Sequence, residues 1–156
     1  MKPMMKMRTG FKASVWVLLL CLGPLLGWAQ SPIGRWKTID DVTGKQKSYV
    51  EITERNGKLY GKIVQLFREP GEDPDPVCDK CGTSDSRRNQ KVLGMEILQG
   101  LYKVSSTKWE GGKILDPKNG SVYDCYIEMQ GNDKMMLRGF MGVSFLGRTQ
   151  YWYRVP

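Results

Sequence analysis

The chain contains no histidine. A Ser-His-Asp triad is therefore excluded, and so is any zinc or iron centre held by imidazole. The residue that most often switches charge near neutral pH is missing as well. The first 14 residues hold no acid, only Lys2, Lys6, Arg8 and Lys12 among their charges. No long segment shows helical periodicity, and no dense basic stripe of the kind that marks a nucleic-acid interface is present. No cofactor motif stands in the chain, so no cofactor and no nucleic-acid partner is expected.

What is present begins with an address. After the basic start, residues 15–26 form an apolar run broken only by Gly23 and Pro24, followed by Gly27-Trp28-Ala29. This order reads as a secretory signal peptide over residues 1–29, cut between Ala29 and Gln30. An uncleaved anchor fits less well, because the run is short for a bilayer and carries a Gly-Pro break. Cys21 resembles a lipoprotein attachment site only superficially, since Leu20 stands where a small residue belongs. Removing 29 of the 156 residues leaves 127, and Lys+Arg falls from 24 to 20 against 16 acids, a net charge near +4. One domain over 30–156 is expected, exported to the periplasm or secreted, with no integral membrane segment.

Turn signals punctuate this part at Asp40–Gly44, Asn56-Gly57, Asp116–Gly120 and Gln130–Asp133. Asn-Gly is the strongest of these, because both central residues of a type I′ turn need positive φ. Between them lie segments rich in β-branched and aromatic residues. They predict strands at 35–39, 47–55, 58–67, 97–104, 108–115, 121–129, 134–141 and 149–154, with a short helix near 92–96. Eight such strands argue for an all-β sandwich or a closed antiparallel barrel. Alternation sends Tyr123, Cys125, Ile127 and Met129 to one face and Asp124, Tyr126 and Glu128 to the other. Val50 and Ile52 separate from Glu51 and Thr53 in the same way. In 149–154 both faces carry aromatics, so alternation does not choose between them.

Residues 68–90 are not strand-like. They hold Pro70, Pro74 and Pro76, the acids Glu69, Glu72, Asp73, Asp75 and Asp79, and Cys78-Asp79-Lys80-Cys81. So long a connection in a compact domain tends to be functional or tied down. In an exported chain Cys78 and Cys81 read as a local disulfide. A thioredoxin-type pair would open a helix after a strand, and Pro76 and Gly82 give no helix signal. A zinc site would lack a fourth soft ligand, so no metal is expected. The acids do not match a calcium loop and read as a solvated surface. Cys125 falls on the inward face, as a small hydrophobe.

Gly34-Arg35-Trp36 opens the first strand, and Gly147-Arg148-Thr149 leads into the last. This pairing is similar to the lipocalin and calycin pattern, in which a Trp plugs the closed end and an arginine packs across it. Trp36 and Arg148, or failing that Arg154, are the expected pair. Longer stretches point the same way: 34–41, 56–63, 73–81, 112–120 and 146–152. Together they resemble a family of exported bacterial proteins classed only as a domain of unknown function. The resemblance implies a lipocalin-like up-and-down barrel of about eight strands and an envelope address; it carries no catalytic residues. The expectation for function is a non-enzymatic barrel holding a small hydrophobic or amphipathic molecule, lined by Val50, Ile52, Tyr123, Ile127 and Leu137. The alternative is an envelope interaction module, its barrel filled and its 68–90 segment functional.

Overall fold

The computed structural model describes residue 1 and residues 30–156. The predicted leader falls on residues 2–29, outside the described residues. Eight strands follow in chain order: β1 (Gly34–Ile39), β2 (Gln46–Arg55), β3 (Lys58–Leu66), β4 (Glu96–Lys103), β5 (Lys108–Asp116), β6 (Ser121–Met129), β7 (Lys134–Phe140) and β8 (Gly147–Arg154). Each pairs antiparallel with its chain neighbour, and β1 pairs with β8, so the sheet closes into an up-and-down barrel. Among the described residues no helix is long and apolar enough to cross a membrane.

The local chemistry explains most of this. Asn56 and Gly57 take φ values of 52° and 72°, and β2 and β3 pair directly across them as Arg55↔Lys58. Such a two-residue turn matches the twist of the strands it joins. Asp40 shapes the β1–β2 loop by accepting the Val42 N–H at 3.0 Å and the Thr43 N–H at 2.9 Å. Along β6 the inward Cys125, Ile127 and Met129 are buried, and Ile127 and Met129 face Leu137 and Met135 of β7. Register shifts interrupt the ladders between Trp109 and Gly112 and at two points of β3–β4. Bulges of this kind bend and twist the strands, which a small closed barrel needs.

The stretch predicted as a short helix is instead a turn leading into β4. Its backbone is claimed by β3: the Gly94 N–H donates to the Ile63 carbonyl at 2.8 Å, and the Ile63 N–H donates to the Met95 carbonyl at 2.9 Å. Sheet pairing of these groups leaves none for a helical ladder.

The β3–β4 connection is ordered by polar contacts of its own. The Arg87 guanidinium grips Asp85 through Nε at 2.9 Å and Nη2 at 2.7 Å, and the Arg87 N–H adds a third bond at 2.9 Å. The guanidinium hydrogen bonds lead in lowering the Asp85 carboxyl to about 2, below its ordinary 3.8. The resulting stability is present above pH ~4 and fades as pH falls towards ~2. Solvent screening holds it to about 1 kcal/mol. Asp85→Asn is therefore expected to flatten part of the fall in urea midpoint between pH ~5 and ~2. Parallel pH profiles for wild type and variant would refute this coupling.

Candidate functional site

The two ends of the barrel differ. One end gathers the start of β1, the end of β8 and the short β2–β3, β4–β5 and β6–β7 turns; it forms the floor. The other gathers the β1–β2 loop, the long β3–β4 connection, the β5–β6 turn and the β7–β8 loop; it forms the open end.

At the floor Trp36 is fully buried, and its indole N–H donates to the Pro32 carbonyl at 2.7 Å. The cation across its ring is Arg154, with Cζ 4.4 Å from the ring centroid. The guanidinium also donates to the carbonyls of Asn132 at 2.7 Å, Ile33 at 3.0 Å and Ser31 at 2.5 Å. The expectation that Arg148 does this is corrected, and the fallback, Arg154, is the residue in place. Register is the reason: Trp36 pairs with Arg154, whereas Arg148 pairs with Gly139 near the open end. There the Arg148 guanidinium pairs with the Asp41 carboxylate. That bond leads in lowering the Asp41 carboxyl and in raising Arg148, each relative to its ordinary value.

Of the five residues expected to line a cavity, Val50, Ile52, Ile127 and Leu137 lie in the core cluster with Trp36, Leu98, Leu101, Met135 and Trp152. All four are buried there, none more than 3 % exposed. Tyr123 alone is half-buried, at the open end, where its hydroxyl oxygen accepts a hydrogen bond from the Asn119 amide at 3.3 Å. Thr38 and Ser48 are the buried polar pair inside, their hydroxyls 2.7 Å apart. Cys125 is buried, and loss of solvent, with a smaller contribution from Asp124, pushes its thiol up to about 12. It has no thiolate to offer chemistry at neutral pH.

Cys78 and Cys81 form the expected disulfide. Both are fully buried and join the same core cluster, as do Val92 and Met95 from the end of the connection. The backbone around them is a short ladder. Cys78 N–H donates to the Gln90 carbonyl at 2.9 Å, Asn89 N–H to the Cys78 carbonyl at 3.0 Å, and Val92 N–H to the Pro76 carbonyl at 2.9 Å. The stapled hairpin sits on the β5–β6 turn, with Cys78 Sγ 3.7 Å from the Pro117 carbonyl oxygen. Leu115, which pairs with the outward Val122, is only 1 % exposed beside this turn. The acids of the connection are spent on surface pairs: Glu69 with Lys45 at 2.7 Å, Asp75 with Lys91 at 2.5 Å, Glu72 with Arg68 at 3.6 Å. Among the described residues no three His, Cys, Asp or Glu side chains converge as a metal set.

Two clefts stand out among the described residues. One of about 410 Å³ runs along the β3–β4 connection, lined by Arg87, Gln90, Lys91 and Leu93 among others. The other, about 300 Å³, lies at the β1–β8 seam between Ile39–Asp41 and Thr149–Tyr153. It exists because β1 and β8 pair only from Trp36↔Arg154 to Thr38↔Trp152 and then diverge. Sequence reasoning misses this seam, and it also misses the β7–β8 loop. Met141, Val143, Phe145 and Leu146 all stand exposed there. Four apolar residues in a short connection are themselves the signal for such a loop.

The family model described as "Uncharacterized protein conserved in bacteria (DUF2147)" matches residues 34–154. No curated protein matches the chain significantly. A solved structure described as "Protein HP1028 from the human pathogen Helicobacter pylori belongs to the lipocalin family" is similar at a TM-score of 0.69. It shares 23% sequence identity, over 81% of this chain and 84% of that one, a likeness of fold. With a matched region that spans the barrel from β1 to β8, the chain belongs to the DUF2147 family and has a lipocalin-like fold.

Proposed function

We propose that this chain is an exported, non-enzymatic barrel that works through the surfaces of its open end, its interior being filled by its own side chains. An eight-stranded barrel is just wide enough either to be filled or to hold one small ligand. The observation that carries the choice is the complete burial of Val50, Ile52 and Ile127, with Leu137 at 3 %. Side chains lining a void wide enough for a ligand would keep accessible surface. The stapled 67–95 connection and the braced β7–β8 loop supply outward-facing structure at one end. The basic start, the apolar run and the disulfide support the export reading. The absence of histidine supports the non-enzymatic one.

Solvent extraction of the purified protein, followed by native mass spectrometry, tests the filled barrel. The expected result is a single mass for the chain with one disulfide and no bound lipid, together with no saturable 1:1 response to a fluorescent fatty acid. A stoichiometric co-purifying lipid overturns it.

A second reading keeps a small amphipathic ligand inside the barrel. Its support is the indole N–H of Trp152, an inward residue of β8 in the core cluster, which finds no acceptor among the described residues. A buried donor without an acceptor costs free energy that a ligand oxygen or a water relieves. Saturable binding that Trp152→Phe abolishes while leaving the fold intact would favour this reading.

A further inference from the structure

We infer that the β7–β8 loop is a membrane-docking tip that inserts its apolar side chains into the interface of a lipid surface. This rests on the reading that the protein acts through its open end, and it names the partner of that end.

Four observations carry it. First, the loop exposes Met141 at 59%, Val143 at 48%, Phe145 at 75% and Leu146 at 69%. Val42 of the adjoining β1–β2 loop is 84% exposed, and that loop is tied to β8 by the Asp41–Arg148 pair. Contiguous apolar exposure at one end of a monomer marks a contact surface.

Second, the loop is prepared for a dry environment. Arg138 donates to the Ser144 carbonyl at 2.6 Å, the Phe145 carbonyl at 2.8 Å and the Thr149 hydroxyl at 2.8 Å. Within the loop, Val143 N–H donates to the Met141 carbonyl at 3.0 Å and Leu146 N–H to the Val143 carbonyl at 3.1 Å. Backbone groups entering lipid must be satisfied internally, and here one buttressing guanidinium and two local bonds do much of that.

Third, charge does not oppose insertion. Residues 141–146 carry no charge, and at their base the Arg148 guanidinium is balanced by the Asp41 carboxylate. Fourth, the shape is wrong for a second copy. A stable dimer needs about 800 Å² of complementary surface from each partner, which a convex tip of five side chains does not supply. A tip suits shallow insertion of about 5–10 Å into the interface.

Co-sedimentation of the processed chain 30–156, which holds the whole barrel and its core, provides the test. The probes are vesicles of phosphatidylcholine alone and of phosphatidylcholine with phosphatidylglycerol. Reversible binding is expected on both compositions, driven by apolar burial and therefore little weakened by salt. The double variant Phe145→Asp/Leu146→Asp is expected to lose at least about tenfold in vesicle affinity with its circular dichroism unchanged. Both substitutions are on exposed side chains, so the barrel is not at risk. A second measurement uses Phe145→Trp, whose emission should shift to the blue on vesicles and be quenched by brominated lipid chains. Absent vesicle binding, equal binding by wild type and the double variant, or no quenching overturns the proposal. So does a wild-type dimer in sedimentation velocity that the double variant abolishes. These outcomes are read separately from lipid extraction, so loss of the lipid-surface assignment leaves the filled-barrel reading standing.

Discussion

Gly120→Ala is expected to destabilise the fold by about 3 kcal/mol or more, at the far end of single-residue effects. Two costs combine. Gly120 has φ +75°, where a Cβ is strained, for about 1 kcal/mol. The larger cost is overlap: a Cβ there would stand 1.9 Å from the Lys80 carbonyl oxygen, 2.2 Å from its carbon and 2.7 Å from the Cys81 nitrogen. Those are backbone atoms of the disulfide hairpin, so no side chain can swing away. The hairpin must lift off the β5–β6 turn, uncovering Leu115. Gly131→Ala is the control, because Gly131 has φ +84° and nothing within 4 Å of the added carbon. Urea unfolding compares the two directly. A Gly120→Ala midpoint no lower than that of Gly131→Ala would refute the docking account, and faster proteolysis within 67–95 in Gly120→Ala would support it.

Arg154→Ala is expected to cost about 2–3 kcal/mol. It removes the cation over Trp36, worth about 1–2 kcal/mol on a buried ring, and leaves three carbonyls to find water. Arg154→Lys should recover little, because a point charge cannot stack on the indole and bridge Ser31, Ile33 and Asn132 together. Arg148→Ala loses only an exposed ion pair and should cost no more than about 1 kcal/mol. A larger loss in Arg148→Ala than in Arg154→Ala would reverse the assignment of the floor.

That assignment marks where sequence reading runs out. Turn chemistry and alternation are local, so Asn56-Gly57 and the inward row Tyr123, Cys125, Ile127, Met129 are legible, and with them eight strands placed to within a residue or two. The pairing of β1 with β8 is not local. It depends on the stagger with which the barrel closes, and aromatics on both faces of 149–154 hide which set points in. Gly147-Arg148 therefore looks as suitable a partner for Trp36 as Arg154 does. A filled interior and a lined cavity use the same apolar residues, so Val50, Ile52, Ile127 and Leu137 carry no signal that separates them. The helix expected near 92–96 fails for a related reason: Ile63, some thirty positions earlier, takes the hydrogen bonds of Gly94 and Met95. The Cys78–Cys81 pairing is legible because the two cysteines lie three positions apart in a turn-rich segment and an export address is expected.

The seam has a kinetic meaning. β1 and β8 meet in three pairs, while β2 and β3 meet in eight. The seam also joins the first strand to the last, the longest chain closure in the barrel, whereas most other ladders grow from short hairpins. Closure entropy and contact order both place such a pairing late in folding. By this argument the eight-strand meander forms first as an open sheet with β1 and β8 as raw edges, and the seam then zips the two together. Trp36 and Arg154 sit at the floor end of that zipper, so the stacked pair acts as its clasp. Between them they govern how long the nascent sheet shows unpaired edges on which neighbouring chains can aggregate.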